Sequence, residues 1–169
     1  MIQLPVPARV AVSSRPKLPS APRRLQGFTL IEVMIVVGIV AILAGLAVPA
    51  YSDYIRRGQL QEAFSFMSDY RVKMEQFYQD NRNYGSAATC AQVGGATPSW
   101  GSFAPGSRYF TFACALTNAG QGYTITATGS TGRATGHAFT VDATNARRTT
   151  QFKGVASTKT CWLVKGDEC

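Results

Sequence analysis

The chain has 169 residues, room for one modest domain, and carries 17 basic against 9 acidic side chains. That excess points to nucleic acid or membrane only until it is located, because Arg9, Arg15, Lys17, Arg23 and Arg24 all precede Phe28 with no acidic residue among them. Beyond them 12 basic residues stand against 9 acidic ones, so charge alone assigns no partner to the rest of the chain.

The first 27 residues hold Pro5, Pro7, Pro16, Pro19 and Pro22 and show no apolar periodicity, so residues 1–27 read as a segment for processing and removal. From Phe28 to Ala50 come 23 residues with Glu32 as the only charge. As a helix this stretch is about 33 Å long, sufficient for a bilayer core in a single pass. Arg23 and Arg24 hold its N-terminal end in the cytoplasm by the positive-inside rule, although Arg56 and Arg57 on the far side count the other way. A secreted binding domain behind an ordinary signal peptide is the alternative, with Val48 and Ala50 supplying the small-residue cleavage site. Two features oppose it. A discarded apolar stretch has no use for Glu32, whose burial in lipid costs several kcal/mol unless it is paired. The helical pattern also continues beyond Ala50 into an amphipathic stretch.

Gly27, Phe28, Thr29, Leu30, Ile31 and Glu32, followed by the apolar run and Pro49, resemble the N-terminal motif of type IV pilins and their pseudopilin relatives. The resemblance implies a prepilin leader cut after Gly27 by prepilin peptidase, with the same enzyme N-methylating Phe28. It implies that Glu32 pairs with the amino terminus of a neighbouring subunit during assembly, which supplies the counter-charge that a carboxylate in low dielectric requires. A 27-residue leader is long for a pilin whose mature chain begins with Phe, so translation starting downstream of Met1 would leave the cut unchanged.

Pro49 lies inside the helical pattern and is expected to bend or loosen the helix between Ala44 and Pro49. Ala41 and Gly45 have the spacing that permits close helix contact. From Tyr51 to Asp80 the residues Leu60, Ala63, Met67, Tyr70, Met74 and Phe77 recur at steps of three and four, with Phe64 and Tyr78 widening the stripe. Arg57, Gln61, Glu62, Asp69, Lys73, Glu75 and Gln76 form the expected solvated side. The helix is expected to end near Asn81, ahead of Gly85. Its length from Phe28 would be about 80 Å, more than a lone domain needs and suited to a fibre core.

Past a loop at residues 82–107 the pattern alternates. Phe110, Phe112, Cys114 and Leu116 share one side of a strand, Tyr123, Ile125 and Ala127 of a second, and Phe139 and Val141 of a third; Arg148 to Phe152 is a candidate fourth. The expected fold class is α+β: a long N-terminal helix, membrane-spanning over 28–50, whose C-terminal half (51–81) packs on an antiparallel sheet of about four strands within 108–169. His137 is expected to be exposed at a strand end.

Cys90, Cys114, Cys161 and Cys169 all lie beyond the apolar helix and fit an oxidising compartment. No C-x-x-C pair occurs and His137 is remote from any close cysteine pair, so no zinc site is expected. Asp167 and Glu168 are too few oxygen ligands for calcium, and no metal or cofactor is foreseen. Cys114 on the inward face of its strand can reach the loop that carries Cys90, which leaves Cys161 and Cys169 to close a loop resembling the C-terminal disulfide loop of type IV pilins. Three connectivities remain open in principle.

One histidine, no Ser/His/Asp grouping, no phosphate-cradling glycine loop and no clustered carboxylates leave no basis for an enzyme. Arg133, Arg147, Arg148, Lys153, Lys159 and Lys165 bias the last 40 residues towards positive charge, and Trp162 is a candidate for stacking on a base. Asp142, Asp167 and Glu168 offset that charge, so solvated loop charge is the expected reading and dedicated DNA binding is not. The C-terminal Cys-Trp-Leu-Val-x-Gly-x-Glu-Cys form and the Thr-rich sheet most resemble the PilE type of gammaproteobacterial minor pilin. The resemblance implies a structural subunit, held in the inner membrane and then built by inner-membrane assembly machinery, with other pilins, into an extracellular fibre. Such fibres serve adhesion, twitching motility and in some cases DNA uptake. A type II secretion pseudopilin shares the motif, but its major form usually lacks a C-terminal disulfide and carries calcium.

Overall fold

The computed structural model describes residues 27–86, 89–103 and 106–169. The leader expected over residues 1–27 therefore lies, apart from Gly27, outside the described residues. By its internal contacts the chain divides between Val40 and Ala41, and the two units are taken separately.

Helix α1 runs Leu30–Asn81, 52 residues, and ends where the loss of apolar periodicity predicts. Thr29 opens it: its hydroxyl accepts a hydrogen bond from the Glu32 backbone N–H at 3.3 Å, satisfying one of the donors a helix start leaves unmade. Helical structure is unbroken through Pro49. In the second unit Leu60, Ala63, Met67, Tyr70 and Met74 are buried, which is the stripe read from the sequence, and Phe77 is packed against the same cluster.

Strands β1 (Gly85–Ser86) and β2 (Thr89–Cys90) form a small hairpin. Then β3 (Phe110–Thr117), β4 (Gly122–Gly129), β5 (Ala138–Asp142), β6 (Arg147–Phe152) and β7 (Val155–Lys159) build an antiparallel meander in chain order. The sheet thus has a fifth strand beyond the four expected. Four of the five residues of β7 are exposed, so it has no dry face to betray it in sequence. In register, Cys114 pairs with Ile125, Ile125 with Val141, and Phe139 with Thr149. Tyr123, Ile125, Phe139 and Val141 are buried with the helix stripe in one core. Phe64 ties the layers together, edge-on to Phe139 and stacked on Trp162 with ring centroids 5.0 Å away in each case.

Two carboxylates expected on the solvated side of the helix are structural instead. Glu62 accepts a hydrogen bond from the Tyr109 backbone N–H at 2.8 Å and another from the Ser107 hydroxyl, pinning the start of β3. Glu75 accepts hydrogen bonds from the Tyr84 hydroxyl at 3.1 Å and the Tyr123 hydroxyl at 3.4 Å. Burial, reinforced by the Glu75 hydrogen bond, pushes the Tyr84 phenol up to about 12.

His137 also departs from expectation. It is 2% exposed, just ahead of β5, with Nδ1–H donating to the Ala134 carbonyl at 3.0 Å and the ring edge-on to Phe152. Its strand end is covered because the turn before it meets the β6–β7 turn: the Gly154 N–H donates to the Gly136 carbonyl at 2.8 Å, and a Cβ on Gly136 would sit 2.8 Å from Gly154 N. Gly136 also has φ +81°, so glycine is needed there on two counts. Burial holds the His137 pKa below its ordinary value; the Ala134 and Thr135 carbonyls pull it up, but the charges of Arg56 and Lys153 add to the depression.

Two outcomes follow. Glu75→Ala strands two phenolic hydroxyls at the helix–sheet boundary and should cost about 1–3 kcal/mol, read as a lowered denaturation midpoint of the chain in detergent micelles. For His137, the unfolded chain takes up a proton near pH ~6.5 while the fold resists until lower pH, so its stability contribution is complete above ~6.5 and is lost as pH falls below that value. The melting temperature should drop between pH 7 and 5, and His137→Gln should flatten that part of the profile.

Candidate functional site

The N-terminal segment is defined by what covers it. From Phe28 to Val48 the large apolar side chains are 50% to 82% exposed. Water does not favour a surface of this size, which at roughly 25 cal/mol per Å² is a large driving force towards lipid or protein. Gly27 and Phe28 precede the helix, and Glu32 stands exposed in its first turn. The residues expected to serve cleavage and assembly are therefore close together in the chain, at the start of one helix.

The cysteines fall as two neighbouring pairs. A disulfide joins Cys90 to Cys114 with Cα atoms 6.0 Å apart, tying β2 to β3. Cys161 and Cys169 approach with Cα atoms 5.8 Å apart. Their segment is anchored by Trp162, which is buried rather than free to stack on a base. Its indole N–H donates to the Thr140 carbonyl at 2.9 Å, and the Arg147 guanidinium lies 4.5 Å over its ring.

The basic side chains do not form one cluster. Arg147 and Arg148 are exposed and adjacent on β6; Lys159 on β7 is held by Asp167 at 2.9 Å. Lys153 reaches Asp53 at 3.8 Å, at the other end of the hairpin. Asp53 also accepts a hydrogen bond from Arg56, and although desolvation opposes the shift, that bond and the nearby charges of Arg56, Lys153 and Arg57 hold its carboxyl below the usual range. Arg56 itself is 6% exposed with Phe152 beneath its guanidinium, a burial that nothing in the local sequence announces. Sequence reasoning missed Arg56, Glu62, Glu75 and His137. The signal was weak for each, because their partners lie in the tertiary structure.

Against known proteins, residues 22–48 match the prokaryotic N-terminal methylation motif, and residues 49–138 match the family described as "Type IV minor pilin ComP, DNA uptake sequence receptor". Similar relatives include the fimbrial protein EcpC of Eikenella corrodens, 47% identical over 55 residues, covering 32% of this chain and 36% of the relative. The type IV major fimbrial protein FimA of Dichelobacter nodosus is 47% identical over 66 residues, 39% of this chain and 41% of that one. A fimbrial protein of Moraxella nonliquefaciens is 42% identical over 69 residues, 41% and 45%. The chain thus spans less than half the length of each of these relatives. A solved type IV pilin from Shewanella oneidensis is 15% identical with a TM-score of 0.40, covering 54% of this chain and 89% of that one. The ComP match extends over more than half of the chain, directly after the methylation motif, and on that ground the chain belongs to the type IV minor pilins of the ComP family.

Proposed function

We propose that this minor pilin works as a DNA-handling subunit of a type IV pilus, processed after Gly27, methylated at Phe28 and held in the inner membrane until it joins the fibre. The observation that carries the structural half of this reading is the uncovered apolar surface from Phe28 to Val48. Lipid covers it before assembly, and neighbouring pilin helices cover it afterwards. Glu32 makes the transfer selective: in a bilayer its carboxylate is costly, whereas beside the amino terminus of a docked subunit it gains an opposite charge in low dielectric. Loosening of α1 between Ala44 and Pro49 adapts the helix to its neighbours in the fibre. A second disulfide, Cys161 to Cys169, closes the C-terminal loop. Prepilin peptidase and the inner-membrane assembly machinery are the partners this route requires, and adhesion and twitching motility are further roles of such a fibre.

The DNA half rests on the ComP match over residues 49–138. Arg147, laid over Trp162, and Arg148 are exposed at consecutive positions of β6 beyond the matched residues, so they project to opposite faces of the strand and each offers a charge to phosphate. With Trp162 buried, charge rather than base stacking carries the interaction.

Mass spectrometry of the mature chain should find an N-methylated Phe28; a chain beginning at Tyr51 would reverse the reading. Glu32→Ala should leave processing intact and keep the subunit out of fibres, and normal incorporation of that variant would remove the role given to Glu32. Duplex DNA binding should weaken with rising salt, and Arg147→Gln with Arg148→Gln should reduce the log–log salt slope by about 1 for each phosphate no longer neutralised. Absence of retention at low salt would exclude the DNA half.

A further inference from the structure

A cavity of about 400 Å³ opens at the end of the head nearest Ala50, lined by Ser52, Asp53, Arg56, Arg133, His137 and Lys153. Three of those side chains are cations and one is an anion, and the anion is already engaged by Arg56 and Lys153. Arg56 is the unusual member. Its side chain is 7% exposed, Nη1 donates to Asp53, and Nε and Nη2 have no hydrogen-bond partner among the described residues. A buried guanidinium with unmade donors is an expensive feature unless an oxyanion completes it, and its planar fork suits phosphate oxygens. Arg133 and Lys153 stand exposed at the rim, so the cavity can be entered from solvent.

The position of the cavity narrows the oxyanion. Arg56 lies six residues beyond Ala50, where the apolar run ends, which on a helix is about 9 Å. The polar layer of a bilayer leaflet is roughly 5–8 Å deep, so this cavity sits at its outer edge. Tyr51 and Tyr54, 67% and 68% exposed, flank the same level as interfacial aromatics do. We infer that, while the subunit is anchored in the membrane, this cavity holds the headgroup phosphate of an anionic phospholipid, with Arg56 as the floor and Arg133 and Lys153 as the rim. The bound lipid fixes the height and tilt of the head above the bilayer and must be surrendered when the subunit enters a fibre. The inference rests on the membrane-anchored state proposed above.

The test uses the full chain. Resistance of the membrane-bound chain to alkaline carbonate extraction establishes anchoring independently of the cavity, and release into the supernatant overturns anchoring and the lipid site together. The chain is then purified in phosphate-free maltoside micelles and titrated with short-chain phosphatidylglycerol, read by phosphorus NMR. Saturable binding is expected, weakened about tenfold or more in an Arg133→Gln, Lys153→Gln variant, because each juxtamembrane cation contributes appreciably to anionic-lipid affinity. Lys73→Gln, which removes a cation about 26 Å further along α1 than Arg56, should bind as the unaltered protein does. The site is overturned if the double variant binds equally well, or if Lys73→Gln weakens binding to the same degree. Inorganic phosphate binding as tightly, with the same dependence on Arg133 and Lys153, would make it a free-anion site. Duplex DNA displacing the lipid with that dependence would make it part of the DNA surface.

Discussion

One helix face can be kept dry only if something apolar lies against it, and α1 meets that requirement in two ways. From Leu60 to Met74 the cover is supplied by the chain itself, through Ile125, Phe139 and Val141 of the sheet. From Phe28 to Val48 no comparable cover exists among the described residues. The head can therefore fold as a finished object while the N-terminal segment remains a demand on its surroundings. A lipid phase and a neighbouring apolar helix are two chemistries that would meet that one demand.

The head economises on its own connections. Glu62 and Glu75 each tie α1 to groups more than 40 residues away in the chain, and the disulfide between Cys90 and Cys114 fastens the otherwise slight β1–β2 hairpin to β3. Charged side chains that would be expendable on an isolated helix thus act as fasteners between layers. The same is true of Arg147, whose charge is laid across Trp162 and so covers the indole while remaining open to solvent.

Much of this was legible because it is periodic. Leu60, Ala63, Met67, Tyr70 and Met74 recur at helical steps and are buried, and the alternation in β3, β4 and β5 named the residues that face the core. The N-terminal methylation motif was legible because it is a local string, readable without a fold. Strand β7 was not legible, since an edge strand wet on both sides has no alternation to detect. Nor were Arg56, His137, Glu62 and Glu75: each looks polar and surface-bound in sequence, and only the arrival of Phe152, Tyr109 or Tyr123 from distant segments changes its environment. Long-range packing is what a single sequence conceals.

Trp162 finds its hydrogen bond, its stacked ring and its cation all within the head. The exposed tip that follows it, Lys165 to Glu168, is thereby released from any duty to the core. Side chains in that tip can be exchanged, or an epitope inserted there, without the core beneath it registering the change.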